Sequence, residues 1–98
     1  GASRTARSAI PDGVFVANDH MAIAVLDTLR HELGLRVPQD VSVIGFDDAR
    51  HGALWTPALT SVHIDAEAYG RRAACAALGI EPEDWTGDPS YIVLREST

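Results

Sequence analysis

The sequence predicts an α/β domain built on a parallel strand–helix–strand unit. Two short apolar runs rich in β-branched residues, at 14–17 and 41–46, have the composition of buried parallel strands. Between them, apolar residues recur at the spacing of one helical face. Since these segments together have about the length of one such unit, we expect the two strands to lie parallel, joined by a right-handed crossover.

The first predicted helix begins at Asn18 or Asp19, because either side chain can cap its amino end. Gly34 and Pro38 supply its predicted end, since glycine favours the helix C-cap and proline cannot continue a helix. The face expected to pack on the sheet consists of Ala22, Val25, Leu26, Leu29 and Leu33.

Shorter elements follow the second predicted strand. A helical turn is expected at 49–54, with Asp48 as its cap. A third strand is predicted at 59–63 and a final strand at 91–94. These elements would extend the sheet beyond the first strand–helix–strand unit.

A second long helix is predicted at 66–78, with Asp65 as its cap and Gly79 at its end. The acidic segment that follows, 79–90, holds Trp85 and receives no predicted role. Close packing of this helix on a sheet is expected through the line Ala66, Tyr69, Ala73 and Ala77.

The composition indicates one globular domain, or part of one. The 98 residues carry 8 basic and 14 acidic side chains, and the net charge of −6 argues against a surface that holds nucleic acid by neutralising phosphates. A lone cysteine, Cys75, cannot form an internal disulfide, so a reducing cytoplasm is the expected compartment. The longest apolar run, 22–26, is far shorter than the roughly 20 residues that span a bilayer, so no membrane partner is expected.

Two polar residues share one topological position. Asn18 and Asp47 are each the first residue beyond the predicted carboxyl end of a parallel strand, the edge at which open α/β sheets bind ligands. A carboxylate accepts hydrogen bonds and an amide both donates and accepts, so the pair suits a neutral polyol or an N–H-bearing heterocycle. An anionic ligand is disfavoured, because no glycine-rich phosphate loop follows the first strand.

Other interpretations of these residues stand beside this one. Asn18 is also a helix cap by residue type, and Asp47 and Asp48 also fit turn and capping roles. The four histidines have no spacing typical of a metal site, and no nucleophile signature is present. We therefore expect no metal, no cofactor and no enzymatic activity.

Two segments carry a resemblance to a known family. Residues 16–22, Val-Ala-Asn-Asp-His-Met-Ala, and residues 34–48, which end in Gly-Phe-Asp-Asp, closely resemble the lactose-repressor (LacI/GalR) family of bacterial transcription regulators. The resemblance extends through 56–62, 70–73 and 94–98, and all five segments have the family's order and spacing.

The resemblance implies that residues 11–98 are part of the carboxyl-terminal lobe of an effector-binding core, with a three-layer, periplasmic-binding-protein-like (type I) fold. Residues 1–10 are then a flexible or truncated lead-in. A helix-turn-helix head and an amino-terminal lobe should precede this chain, so operator DNA would be contacted only through that missing part. In the family, residues at the positions of Asn18 and Asp47 commonly contact the effector, a small molecule expected to be a carbohydrate. Ile64 stands where a pocket-lining glutamine is frequent.

A homodimer is also predicted. Ile23 falls outside the sheet-facing side of the first helix, and Leu54 and Trp55 add a large apolar anchor of the kind that centres interfaces. The resemblance places these segments at the family's dimer face. An alternative function is a lobe of an exported sugar-binding transport protein, and a weaker one is an enzyme that uses Asp47 and Asp48 as acids or metal ligands.

Overall fold

A computed structural model of the chain describes residues 9–81 and 90–98. It confirms the α/β class and the parallel strand–helix–strand unit. None of the helices in these residues is long and apolar enough to cross a membrane. In chain order the elements are β1 (Gly13–Phe15), α1 (Asp19–Asp27), a π-helical turn (Thr28–Glu32), β2 (Ser42–Ile44), α2 (Arg50–Leu54), β3 (Ser61–His63), α3 (Ala66–Leu78) and β4 (Tyr91–Val93).

β1 and β2 form one two-stranded sheet and β3 and β4 form another, and a bridge joins the two pairs in the order β1, β2, β3, β4. β1 and β2 are parallel, with Phe15 opposite Ile44. β3 continues the array on the other side of β2 through a parallel bridge between Ile44 and Thr60, where the Gly45 N–H donates to the Thr60 carbonyl at 2.9 Å. β4 is antiparallel to β3. The carboxyl ends of β1, β2 and β3 therefore lie at one edge of the sheet.

Helix α1 covers one face of the sheet. Ala22 and Leu26 are fully buried, and Val25 and Leu29 pack against the core. Leu33 was expected to continue this stripe, but it is 45% exposed. The reason is the π-helical turn that follows α1, because its wider winding rotates later residues away from the sheet.

The hydrophobic core lies between α1 and that face of the sheet. Its buried members are Val16, Ala22, Leu26, Val37, Val41, Val43 and Leu59. The first strand is shorter than predicted, and none of its three residues is buried. Val16, directly after the strand, is buried, whereas Phe15 is 64% exposed because alternate residues of an extended segment point to opposite faces.

The closing residues 96–98 are tied into the sheet by hydrogen bonds that the sequence did not indicate. Ser97 is fully buried. Its carbonyl accepts from the Val43 N–H at 2.9 Å and its own N–H donates to the Ala58 carbonyl at 2.9 Å. The Ser97 hydroxyl donates to the Val43 carbonyl and accepts from the Thr60 N–H. These bonds connect the end of the chain to the strands on both sides of it.

Helix α3 has the predicted bounds but not the predicted packing. The Asp65 carboxylate accepts from the Ala68 N–H at 3.0 Å, and Gly79 closes the helix in the left-handed conformation with φ +68°. No residue of α3 is buried, and Tyr69 is 40% exposed. Close packing of its alanine line on the sheet was therefore a wrong prediction for the described residues. Trp85 and residues 1–8 lie outside them.

Gly45 provides a test of how tightly β2 packs. An added Cβ would lie 2.9 Å from Leu59 Cδ2 and closer still to Asp19 Oδ1, so Gly45→Ala should lower the free energy of unfolding by about 1–3 kcal/mol. Urea denaturation measures this change. The control is Gly13→Ala, where the nearest atom would be 3.6 Å away. Equal losses in both variants would show that crowding at Gly45 is not the cause.

Candidate ligand-binding edge

Asn18 and Asp47 lie at the same level of the sheet edge. Phe15 pairs with Ile44 across β1 and β2, and each polar residue follows its strand partner by three positions. The next ladder bond, from the Val16 N–H to the Ile44 carbonyl at 2.8 Å, keeps the two segments in register beyond the strands. The register therefore supports the predicted placement of both residues at one crevice.

Asn18 caps α1, as one interpretation of the sequence proposed. Its backbone is extended, and its Oδ1 accepts a hydrogen bond from the Met21 N–H at 2.9 Å. This bond satisfies one of the orphan donors at the helix start. The side-chain nitrogen, Nδ2, has no hydrogen-bond acceptor among residues 9–81 and 90–98, so it remains available to donate to a ligand.

Asp47 and Asp48 form a turn in which both residues have positive φ, at 108° and 53°. Such a backbone is uncommon for residues other than glycine, although aspartate and asparagine tolerate it best. Asp47 is exposed, and none of the described residues forms a hydrogen bond with its carboxylate. The turn thus presents an exposed carboxylate at the carboxyl-end edge of the strands, without a partner in the part of the chain that the structure describes.

Three consecutive backbone N–H groups hold this turn. Asp47 donates to the Val62 carbonyl at 2.9 Å, Asp48 donates to the Ser61 hydroxyl at 2.9 Å, and Ala49 donates to the Asp19 carboxylate at 2.6 Å. Each bond compensates part of the cost of the strained backbone. The backbone of the turn that carries Asp47 is therefore held in place by β3 and by the start of α1.

Asp19 is a residue whose role the sequence did not reveal. Its side chain is 1% exposed, and besides Ala49 it accepts from the Ser61 hydroxyl at 2.8 Å. Its position in the first turn of α1 also favours a negative charge. The sequence offered only a capping role for Asp19, because Asn18 and Asp19 are both cap formers and Ser61 lies 42 residues away.

Asp48 does not cap α2, contrary to the sequence prediction. The N-cap is Ala49, which makes no side-chain capping bond. The Asp48 carboxylate instead accepts from Arg95 Nη2 at 2.7 Å and lies 3.0 Å from His63 Nδ1. Burial raises the pKa of Asp48, but the hydrogen bonds and charges of Arg95 and His63 outweigh it and leave the pKa below its ordinary value.

Three of the four histidines have ring or hydrogen-bond contacts in the folded chain. The His20 and His51 rings lie 4.4 Å apart, and the buried Nε2 of His51 has no hydrogen-bond partner among residues 9–81 and 90–98. His63 stacks on Tyr91 at 4.8 Å. Within the described ranges, no group of three or more His, Cys, Asp or Glu side chains could hold a metal ion.

Two of the predicted interface residues lie on helices that contact each other, Ile23 on α1 and Leu54 on α2, and Trp55 directly follows α2. Leu54 is 75% exposed, and Ile23 is half-buried on α1. The Trp55 indole donates to Asp27 Oδ1 at 3.1 Å, and the Arg30 guanidinium donates to the carbonyl of the next residue, Thr56. These two bonds hold the segment that follows α2 against α1 and the π-helical turn.

The Asp48 pairing should make stability depend on pH. Because its pKa is lowered in the folded protein, the charged carboxylate stabilises the fold above about pH 4, and this effect is lost as the pH falls through the lowered pKa. Asp48→Asn should therefore lower the free energy of unfolding by about 1.5–3 kcal/mol at pH 7, and by progressively less in acid.

Urea denaturation at a series of pH values measures both parts of this expectation. Asp47→Asn is the matched control, because that carboxylate is exposed and should contribute little to stability. A similar loss in both variants at pH 7 would contradict the assignment of the stabilising charge to Asp48.

Comparison with known proteins places this geometry in a family. The model of the periplasmic binding protein-like domain matches residues 1–98. The HTH-type transcriptional repressor PurR of Pectobacterium carotovorum subsp. carotovorum (strain PC1) is 49% identical over 63 residues, which are 64% of this chain and 18% of that repressor. PurR of Salmonella typhi is 48% identical over the same share of both chains. The chain thus spans about a fifth of the repressors that it matches.

Solved structures agree with the sequence relatives. A LacI family transcriptional regulator from Lactobacillus casei with bound sucrose has a TM-score of 0.72 and 27% identity, over 94% of this chain and 35% of the regulator. The lac repressor dimer bound to operator and the anti-inducer ONPF has a TM-score of 0.71 and 30% identity, over 93% and 33%. The complex of the transcriptional regulator CelR with cellobiose has a TM-score of 0.66 and 34% identity, over 89% and 28%.

These relatives are regulators, and they favour that interpretation over a lobe of a transport protein. The fold, the ligand-binding edge and the whole-chain match agree with the resemblance seen in the sequence. The chain therefore belongs to the periplasmic binding protein-like domain family, in the form of the effector-binding lobe found in LacI/GalR regulators.

Proposed function

We propose that this chain senses a small-molecule effector for a DNA-binding transcriptional regulator, with Asp47 and Asn18 contacting the effector. The observation that carries the proposal is the exposed Asp47 carboxylate, which has no protein partner in the described residues although three backbone hydrogen bonds hold its turn. A strained turn that is stabilised on one side and presents an unpaired group on the other is typical of a ligand contact.

The two side chains define what the effector must offer. The Asp47 carboxylate only accepts hydrogen bonds, so the ligand supplies O–H or N–H donors to it. Asn18 Nδ2 donates, so the ligand also carries an acceptor. A sugar or an N–H-bearing heterocycle meets both requirements, and the sucrose and cellobiose bound by the two structural relatives support a small polar ligand.

Effector sensing by this lobe is binding without chemistry, so no enzymatic activity is proposed. The chain carries a net charge of −6, and we assign operator contact to another part of the regulator, which would act in the cytoplasm. The sequence relatives are repressors, and the lac repressor structure contains operator DNA. Both support a role in transcriptional control.

We also propose that the regulator dimerises through a face formed by α1 and α2. Met21 on α1 and Leu54 and Trp55 at the end of α2 are exposed apolar residues, and Ile23 on α1 is half-buried. The hydrogen bond from Trp55 to Asp27 fixes the indole against α1, so little side-chain entropy remains to be lost on association. The lac repressor in the operator complex is a dimer, which supports this assignment.

Asp47→Asn tests the effector contact. Asparagine tolerates the positive φ but removes the charged acceptor, so we expect effector affinity to fall about tenfold or more. Sugars and N–H-bearing heterocycles are first screened by thermal shift against the regulator that contains this lobe. The strongest binder is then titrated calorimetrically.

The control for this titration is Asp12→Asn. Asp12 is an exposed carboxylate that precedes β1, at the opposite edge of the sheet, and its substitution should leave affinity unchanged. Unaltered affinity in the Asp47→Asn variant would show that Asp47 does not contact the effector.

Leu54→Asp tests the dimer face. A buried, unpaired charge at an interface is costly, so the variant should sediment as a monomer at concentrations where the wild type is dimeric. Leu78→Asp is the matched control, since Leu78 has the similar exposure of 74% on α3. Sedimentation velocity measures all three proteins. A dimeric Leu54→Asp variant, or a wild type that stays monomeric at high concentration, would refute the proposed face.

A further inference from the structure

We infer that the pair formed by His20 and His51 is a proton-sensitive contact, which holds α2 against the start of α1 at neutral pH and loosens in acid, so that the dimer face weakens as the pH falls. The effect on dimerisation rests on the proposed function, whereas the contact itself does not. The observation behind it is that the two imidazole rings lie 4.4 Å apart, while the buried Nε2 of His51 has no hydrogen-bond partner in the described residues.

The pair lies at one end of the face that α1 and α2 form. His20 is in the first turn of α1, and Asp27 lies seven residues later, on the same side of that helix. His51 is in α2, and Trp55 follows it by four residues. The two imidazoles therefore join the helices at one end of the face, and the hydrogen bond from Trp55 to Asp27 at 3.1 Å joins them at the other.

Helix α2 depends on contacts with its neighbours. It has only five residues, and its N-cap, Ala49, makes no side-chain capping bond. An isolated helix of this length is not stable in water, because nucleation is costly. On the side of α1, the Ala49 N–H donates to the Asp19 carboxylate at 2.6 Å, and the imidazole of His51 contacts that of His20. A change in the ring contact therefore acts directly on how α2 is held.

Imidazole is the side chain that ordinarily gains a proton between pH 8 and 5, and the added charge is costly in this contact. A proton on each ring would bring two positive charges to rings 4.4 Å apart, where like charges repel. Protonation also turns both nitrogens of a ring into donors, so Nε2 of His51 would become a buried, charged donor without a described acceptor. The packed arrangement therefore binds fewer protons than the separated one, and linkage weakens it as the pH falls.

The surrounding charged groups form no bond that would offset this cost. Asp19 precedes His20 in the chain, but its two carboxylate oxygens accept from Ser61 and Ala49. Neither imidazole forms a hydrogen bond or an ion pair with the other charged or titratable groups of α1, α2, β3 and the turn between β2 and α2, which are Asp27, Asp47, Asp48, Arg50 and His63. The repulsion within the pair is therefore not relieved by a bonded carboxylate.

Urea denaturation of the 98-residue chain at about pH 7.5 and about pH 5.5 tests the contact itself. An imidazole that stays neutral in the folded chain, but takes up a proton at the ordinary pKa of about 6.5 when unfolded, raises the unfolding equilibrium constant about tenfold over this range. We expect a rise of about that size in the wild type. Asp48 stays charged at both pH values, because its pKa is lowered, so its protonation does not contribute.

Variants assign the effect to the pair. His51→Phe keeps a ring in the contact but takes up no proton, so it should reduce the rise to less than about twofold. His51→Leu, with a smaller apolar side chain, provides a second test at this position with the same expected result. His20→Phe should give a smaller rise than the wild type, because it removes one charge of the pair. The matched control is His31→Phe, since His31 is exposed on the π-helical turn and makes no ring contact in the described residues. This control should keep the full rise.

Sedimentation velocity of the regulator that contains this lobe tests the effect on the dimer face. The dissociation constant of the wild-type dimer should rise about tenfold or more between the same two pH values, because the contact that holds α2 is weakened. In the His51→Phe variant the constant should change by less than about twofold.

The outcomes are distinguishable. If His51→Phe and His51→Leu keep the wild-type rise in the unfolding constant, if His20→Phe keeps it in full, or if the wild type shows no rise, the inference is overturned. If the urea results are as expected but the wild-type dimer does not weaken in acid, the effect on dimerisation is overturned while the contact stands. If the regulator is monomeric at both pH values, the proposed dimer face and its pH dependence both fail, and the contact is judged by urea denaturation alone.

Discussion

The arrangement of the ligand-binding edge depends on one buried carboxylate. Asp19 is 1% exposed, and burying its charge would be costly without the hydrogen bonds from Ser61 and Ala49 and the favourable field at the start of α1. Through these bonds Asp19 joins three elements, α1, β3 and the segment that enters α2. Gly45 leaves the space in which this carboxylate sits. Without Asp19, the turn between β2 and α2 would lose the hydrogen bond that Ala49 donates. Less energy would then offset the cost of the positive φ angles of Asp47 and Asp48.

Because the turn is held in this way, two adjacent residues of the same type have opposite roles. Asp48 points to Arg95 and His63, which lower its pKa and make it a stabilising charge. Asp47 is exposed and free of described partners, so it can meet a ligand. The left-handed backbone of the turn separates the two side chains. Because the backbone of the turn is already held in place, Asp47 needs little reorganisation when its carboxylate contacts an effector.

Local chemistry accounts for most of what could be predicted. Asn18 and Asp65 each bond to an N–H three residues ahead, and Gly79 ends α3 in a conformation that glycine adopts without strain. These signals lie within one helical turn, so they can be read from the chain. The packing of α3 could not be predicted from the chain. Its alanines have the spacing of a face that packs on a sheet, but no residue of the helix is buried in the structure. The sequence also failed to predict which way the residues after Leu29 face, because no residue pattern indicates a π-helical turn.

The sequence by itself determined the α/β class, the parallel unit and the edge at which Asn18 and Asp47 lie, because strand and helix periodicity and the βαβ rule are properties of short segments. Only the tertiary structure decided which aspartate is buried, which is paired and which is available. Asp19 meets Ala49 and Ser61 across 30 and 42 residues, and Asp48 meets Arg95 across 47. Contacts over such separations depend on how the strands assemble, and no local spacing encodes them.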